Sequence, residues 1–270
     1  MPIIVSKQLE LEKTREYRLS IQADLNGFSF SVVNDVNKKC LHLYKSEFVC
    51  NRQDYESFVR NTASLVDSLP ILSSSFKSVS LIINTEKYAL VPLSDFKEGS
   101  AHLYLKKLHD LEDLEEVDYV RCEKEGLAIV FAADSTLINC IKAVQPDFKL
   151  LPSVYFPVKY LKTFEDHNKI YVQYFKGLVH VVIYEGDRLM LCNSYPALHF
   201  NSALYFIFLA LKSVHFNTEM TTIYAAGNFS TNDLADLTKY FPKVRFFRNR
   251  QTPIGDSDIE MKYSHLAFES

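Results

Sequence analysis

The pattern of apolar and polar residues repeats once along the chain. Residues 19–44 contain three short alternating runs, separated by turn sequences of which the first is Asn26-Gly27. Residues 170–195 contain three more, and the first two are separated by Lys176-Gly177. Alternation with period two, interrupted by turns that contain Gly and Asn, predicts a meander of three antiparallel strands in each stretch.

Each predicted meander is followed by a helix and then by a short buried strand. Helical spacing begins at Asp54 and ends before Pro70, which cannot continue a helix. The apolar run at residues 79–83 is typical of a strand that is covered on both faces. In the second half, residues 201–214 form a predicted buried helix that is apolar almost all round, and residues 222–226 form the strand.

A further helix and strand complete each half. In the first half we predict a strand over residues 127–133, a helix capped by Asp134, and then a short strand. In the second half Ser230 has the spacing of a capping box, and the helix that it opens precedes a strand at residues 244–247. We predict that Asn201 caps the apolar helix of the second half.

Other segments have weaker patterns. Residues 1–17 are predicted to be an irregular lead-in, and residues 85–126 an insertion into the first half. We interpret the acidic cluster at residues 110–118 as a solvated face or loop and not as a metal site, because it lacks the spacing of a calcium-binding loop. The chain after residue 250 shows no clear pattern.

The order of the elements indicates an α/β fold with mixed sheets. Three antiparallel strands followed by alternating helices and strands form the order of a ribonuclease H-like fold, and this order occurs twice. Two such halves resemble the duplicated actin-like ATPase fold of sugar kinases, Hsp70 chaperones and actin. We predict a first lobe over residues 1–168, with an insertion at about residues 85–126, and a second lobe over residues 169–270.

The chain also resembles a more specific group. The opening RLSIQAD…GFSFSV at residues 18–32 and the sequence IYVQYF…GxxH at residues 170–180 are similar to an uncharacterised bacterial domain-of-unknown-function family with this actin-like fold. The resemblance implies the fold and a bacterial source. It implies no activity, because the family has none assigned.

The actin-like resemblance also implies where a nucleotide site belongs. In active members a strand in each half ends in Asp-x-Gly followed by Thr or Ser; the glycine lets backbone amides approach phosphate, and the Asp organises the metal ion. The first half has Asp24, Asn26 and Gly27 at this place. The glycine comes one position late, and Asn26 adds a side chain at the hairpin tip.

The second half departs further from the active pattern. Phe175, Lys176 and Gly177 stand at the strand end, without a carboxylate, and the adenosine motif, usually Gly-Gly, is represented by Gly227 and Asn228. Phosphoryl transfer relies on a positioned Mg²⁺ ion, so these departures predict a remnant site with no catalytic residue, no metal ligand and no bound cofactor. ATP with Mg²⁺ is the alternative, in which case Lys176 offers a cation to phosphate.

Two other clusters favour structural roles. Cys192 lies between His180 and His199 in the sequence, but buried cysteines are common and no third residue that would orient a catalytic pair can be named. Four basic residues on and beyond the last strand are typical of a solvated strand face, with a phosphate-binding strip as the alternative; they are Lys243, Arg245, Arg248 and Arg250.

Composition narrows the class of function. The chain has 270 residues, of which 47% are hydrophobic and 23% charged, as in a soluble globular protein. Its net charge of −3 gives no general attraction for nucleic acid or anionic lipid. Five scattered cysteines without a CxxC pair predict reduced thiols in a cytoplasmic protein. The N-terminus does not resemble a signal peptide, and the apolar run at residues 203–211 is too short to cross a bilayer.

We therefore expect a non-catalytic binding or scaffold protein on a degenerate actin-like fold, with a protein or peptide as partner. Pilus-assembly and secretion-platform proteins, which are related by fold and hold a short peptide of a membrane partner, support this interpretation by analogy. The alternative is an ATP-dependent kinase or ATPase with an altered phosphate-binding site. The sequence does not indicate the oligomeric state.

Overall fold

We describe the protein from a computed structural model, which covers residues 3–6, 9–24, 27–47, 55–175, 177–255 and 257–270. For residues 3–6, 24, 47 and 55–59 the description is confined to the backbone. The chain divides into two compact units: unit 1 comprises residues 1–153, 251–254 and 266–270, and unit 2 comprises residues 154–250 and 255–265. The lobe limits 1–168 and 169–270 stay a prediction.

Unit 1 is built on a large mixed sheet. Its strands are β1 (Ile3–Ser6), β2 (Tyr17–Asp24), β3 (Gly27–Asn34), β4 (Lys39–Glu47), β5 (Ser78–Ile83), β6 (Tyr88–Pro92), β7 (Glu115–Cys122), β8 (Leu127–Asp134) and β9 (Lys149–Pro152). Its helices are α1 (Tyr55–Ser68), α2 (Ala101–Lys106) and α3 (Ser135–Lys142). The large sheet has the order β1-β4-β3-β2-β5-β9, in which β2, β3 and β4 form the predicted antiparallel meander.

The insertion in unit 1 has a sheet of its own. Strands β6, β8 and β7 pair antiparallel in that order, and α2 packs against the apolar face of β8. The strand predicted over residues 127–133 exists, but as β8 it is the central strand of this small sheet and not part of the large one. A continuous apolar run shows that a strand is covered on both faces and does not show which neighbours cover it.

Unit 2 is built on a mixed sheet of five strands. The strands are β10 (Asn168–Phe175), β11 (Gly177–Glu185), β12 (Arg188–Ala197), β13 (Thr221–Gly227) and β14 (Val244–Phe246). The helices are α4 (Tyr155–Tyr160), α5 (Phe200–Ser213), α6 (Thr231–Tyr240) and α7 (Ser257–Lys262). The sheet order is β12-β11-β10-β13-β14.

The two sheets repeat one topology. The order β4-β3-β2-β5-β9 in unit 1 matches β12-β11-β10-β13-β14 in unit 2, and each begins with antiparallel pairs and ends with parallel ones. Ile21 lies opposite Phe30 in unit 1. At the equivalent place in unit 2, Val172 lies opposite Val181. The internal duplication predicted from the alternation is therefore confirmed, with β1 as an added edge strand.

Helix α5 covers one face of the unit 2 sheet. Ala203, Ile207 and Leu211 are buried in the core on that face. Removing their apolar surface from water stabilises the fold. The expectation that the aliphatic and aromatic side chains of this helix are buried is wrong for Tyr205, which is 62% exposed, and for Leu209, which is 42% exposed. Helix α5 therefore buries one stripe and leaves the other in contact with solvent within unit 2.

The local assignments differ from the prediction at several ends. The lead-in contains β1 and a 3₁₀ helix at Leu11–Glu16, and part of the acidic cluster lies in the half-exposed strand β7. The N-cap of helix α5 lies two residues earlier than expected, at His199 and not at Asn201. Asp134 does cap α3, since its Oδ1 accepts from the backbone N–H groups of Thr136 at 2.7 Å and Leu137 at 3.1 Å.

Candidate functional site

The strands that flank the two hairpins predicted from the resemblance pair in the same register. In unit 1 a two-residue loop places Asp24 opposite Gly27. In unit 2 a two-residue loop places Phe175 opposite Leu178. Asp24 and Phe175 therefore hold equivalent positions at the ends of β2 and β10, as the sequence comparison predicts.

The predicted site residues at the hairpin tips are described in part. Asn26 and Lys176 lie outside the described residues, and for Asp24 only the backbone is described. Gly177 begins β11 with φ +105°, and a Cβ added there would meet nothing within 4 Å. Gly177 thus supplies a backbone conformation that other residues rarely adopt, and open space surrounds it.

Gly227 and Asn228 lie at the end of β13, against the backbone of β10. Gly227 has φ +97°, and a Cβ at this position would lie 2.4 Å from the carbonyl oxygen of Tyr174. The Asn228 N–H donates to that same oxygen at 2.7 Å. The close approach of two backbones explains why glycine stands at residue 227, whether or not a ligand binds there.

Three aromatic rings pack together beside this approach. Tyr174, Phe200 and Phe229 are buried, with ring centroids 5.4 to 5.7 Å apart. Burial, with a further contribution from the negative charge of Asp233, raises the pKa of the Tyr174 hydroxyl. Ligands of open α/β sheets bind beyond the carboxyl ends of parallel strands, and in unit 2 these rings belong to the hydrophobic core next to the end of β10.

The N-terminus of α6 is capped by its own side chains. Ser230 Oγ accepts from the Asp233 N–H at 3.2 Å, and Asp233 Oδ2 accepts from the Ser230 N–H at 2.8 Å, which confirms the predicted capping box. Free amides at a helix N-terminus attract phosphate. Here two of those amides, at Ser230 and Asp233, are already bonded, and the Asp233 carboxylate places a negative charge beside them.

A buried polar layer lies on the opposite face of the unit 2 sheet and was missed by sequence reasoning. His180 Nδ1 is 2.5 Å from Ser194 Oγ across β11 and β12, and the Tyr171 hydroxyl is 2.8 Å from His265 Nε2. The amide of Gln173 reaches His265 Nδ1 at 3.4 Å. Alternation places Tyr171, Gln173 and His180 on one face, but nothing in the local pattern identifies His265 as their partner.

This polar layer does not suit acid–base catalysis at neutral pH. Burial lowers the pKa of His180 to about 3. Burial and the proximity of His180 lower the pKa of His265 to about 3. A general base works best with a pKa near the operating pH, so the contact between His180 and Ser194 is a structural one. In the strand register His180 lies opposite Ser194, and Cys192 lies opposite Val182.

Metal-binding clusters and membrane-spanning helices are absent from the described part of the chain. Within the described ranges, no three His, Cys, Asp or Glu side chains are grouped so that they could hold a metal ion. No helix in the described part of the chain is long and apolar enough to span a membrane.

Two duplicated mixed sheets with this order define an actin-like ATPase fold. A Bacteroides thetaiotaomicron protein with actin-like ATPase fold and unknown function is similar to this chain, with a TM-score of 0.81, 22% sequence identity, and 97% of this chain and 100% of that chain covered. The chain belongs to the family described as "Protein of unknown function (DUF3822)", which matches residues 6–244. No curated protein matches the chain significantly.

A second solved structure shares the fold at lower similarity. A chain of the PilM-PilN type IV pilus biogenesis complex aligns with a TM-score of 0.58 and 12% sequence identity, covering 94% of this chain and 97% of that chain. At such identities the likeness shows the fold alone.

Proposed function

We propose that the protein is a non-catalytic binding or scaffold protein on a degenerate actin-like fold, whose nucleotide site has been lost. The observation that carries this proposal is the equivalence of Asp24 and Phe175 in the two hairpins. Phosphoryl transfer needs a Mg²⁺ ion held by charge, and Phe175 supplies none. The aromatic rings beside Tyr174 and the capping box at Ser230 support the same conclusion.

The proposed partner is a protein or a peptide in the cytoplasm. The PilM-PilN neighbour supports this part of the proposal, because a chain of the same fold occurs there in a complex for pilus biogenesis. The alternative is an ATP-dependent kinase or ATPase that uses an altered phosphate-binding site.

A thermal-shift titration with Mg-ATP separates these two functions. A ligand at 100 times its Kd stabilises the folded state by about 2.7 kcal/mol, so a functional site raises the melting temperature by several degrees. We expect no Mg²⁺-dependent shift up to millimolar Mg-ATP, with MgCl₂ alone and ATP with EDTA as ligand controls. A saturable shift that requires both Mg²⁺ and ATP, and that Asp24→Ala abolishes, would establish the enzyme alternative instead.

A further inference from the structure

A cavity of about 400 Å³ lies at the edge of the unit 2 sheet, beside strand β14. Ligand pockets for small molecules begin at roughly this size. Three guanidinium groups and three aromatic rings line the cavity; they belong to Arg245, Arg248, Arg250, Phe164, Tyr224 and Phe246. Three of the four basic residues that the sequence suggested as a solvated strand face therefore line this half-open cavity.

Arg245 is held in place by neighbouring side chains. Its Nη1 donates to Asp166 Oδ2 at 2.8 Å, and the Tyr224 hydroxyl donates to the same carboxylate oxygen at 2.5 Å. Burial alone would raise the pKa of Asp166, but hydrogen bonds from Tyr224 and Thr222 and the charges of Arg245 and Lys243 lower it. Asp166 therefore stays ionised and fixes one edge of the Arg245 guanidinium.

Arg248 is positioned in a similar way. Its Nη1 lies 3.4 Å from Oε2 of Glu260, whose side chain is only 8% exposed, whereas the Arg248 side chain is 47% exposed. A guanidinium carries five N–H donors, so a single carboxylate contact leaves others for a ligand. Arg245 and Arg248 are thus held in place and still have N–H groups that can donate to a ligand. Arg250 is a third arginine in the lining, and its side chain is exposed.

The aromatic part of the lining is rigid. The Phe164 ring packs edge-on against Tyr224 at 4.7 Å between centroids and stacks on the buried ring of Phe247 at 5.4 Å. These contacts hold Phe164 and Tyr224 in fixed positions next to the arginines. The cavity therefore offers a cationic side for an oxyanion and an apolar side for an organic group.

We infer that this cavity binds the phosphate group of a small organic phosphate monoester. Arginine matches phosphate because its planar fork makes paired, charge-assisted hydrogen bonds. The cavity is much larger than a phosphate ion, and the aromatic wall gives the remaining space a surface for the ester group. The site lies within unit 2 and does not involve Asp24, so it is independent of the nucleotide question.

Isothermal titration of the full chain in Mg²⁺-free buffer tests this inference with three probes. Phenyl phosphate carries both features, inorganic phosphate carries only the anion, and phenol carries only the ring. We expect saturable binding of phenyl phosphate, weaker binding of inorganic phosphate, and none of phenol. Equal affinity for the two phosphates would overturn the organic ester as ligand, and absence of phenyl phosphate binding at millimolar concentrations would overturn the site.

Three variants locate the binding within the chain. Arg250→Gln and Arg248→Gln each remove one guanidinium and should weaken phenyl phosphate binding about tenfold or more, as expected for a lost charge-assisted hydrogen bond. Lys212→Gln is the matched control, because it removes an exposed charge of unit 2 that does not line the cavity. Its affinity should stay within about twofold of the parent chain. An equal loss in Lys212→Gln would show non-specific attraction and overturn the inference.

Discussion

Replacing Gly227 by alanine should destabilise the protein more than any ordinary glycine substitution. The new Cβ would lie 2.4 Å from the carbonyl oxygen of Tyr174, at a backbone φ of +97°. A residue with a side chain in such a conformation costs about 1–3 kcal/mol, and overpacking against a fixed neighbour costs a similar amount again. Moving the carbonyl away would also stretch its hydrogen bond with Asn228, so we expect a total of about 3–5 kcal/mol.

Gly177→Ala is the matched control for this substitution. Gly177 has a similar φ of +105° and lies in the same unit, but nothing stands within 4 Å of its added Cβ. Gly177→Ala should therefore lower the free energy of unfolding only by the conformational strain, which is about 1–3 kcal/mol. Urea unfolding followed by far-ultraviolet circular dichroism measures both changes in the free energy of unfolding.

The difference between Gly227→Ala and Gly177→Ala isolates the contact with the Tyr174 carbonyl. A difference of about 2 kcal/mol supports the view that the close backbone approach requires glycine at residue 227. If Gly227→Ala costs no more than Gly177→Ala, the close backbone approach does not explain the glycine. The reasoning that separates Gly227 from nucleotide binding would then be refuted.

Two further predictions concern the core of unit 2. Burial lowers the pKa of His180 and His265 to about 3, so both are neutral when folded and gain protons on unfolding below their ordinary value of 6.5. The contribution of the two neutral histidines to stability is complete above pH 6.5 and falls as the pH drops towards 3, by about 2 kcal/mol per residue at pH 5. Urea unfolding of His180→Gln should therefore show a shallower dependence of stability on pH. An unchanged pH dependence would contradict this account. Ile207→Ala should lower the free energy of unfolding by about 2–5 kcal/mol, because Ile207 is fully buried in α5. Leu209 is exposed, so Leu209→Ala should lower it by about 1 kcal/mol or less. Similar losses in the two variants would mean that α5 does not bury a single stripe.

Features set by local chemistry could be predicted from the sequence. The alternation around Ile21 and Val172, together with short turns, identified both meanders and their equivalence. The capping residues Asp134 and Ser230 were identified because a cap acts on amides two or three residues away. Such signals are contained within a few neighbouring residues.

Features set by distant partners could not be predicted. Strand β8 has the pattern of any buried strand, and only its neighbours place it in the insertion. Tyr171 and His265 are 94 positions apart, so their contact leaves no local periodicity. In the candidate site, the departure at Phe175 was visible in the sequence, whereas the contact of Gly227 with the Tyr174 carbonyl was not.

The release of phosphate from Mg-ATP by the purified chain tests the central claim most directly. Because the second hairpin has Phe175 where a carboxylate is needed, we expect no Mg²⁺-dependent phosphate release above a buffer control. We also expect no difference in release between the parent chain and Asp24→Ala. Mg²⁺-dependent release by the parent chain that disappears in Asp24→Ala would contradict the account and identify the protein as an ATP-using enzyme.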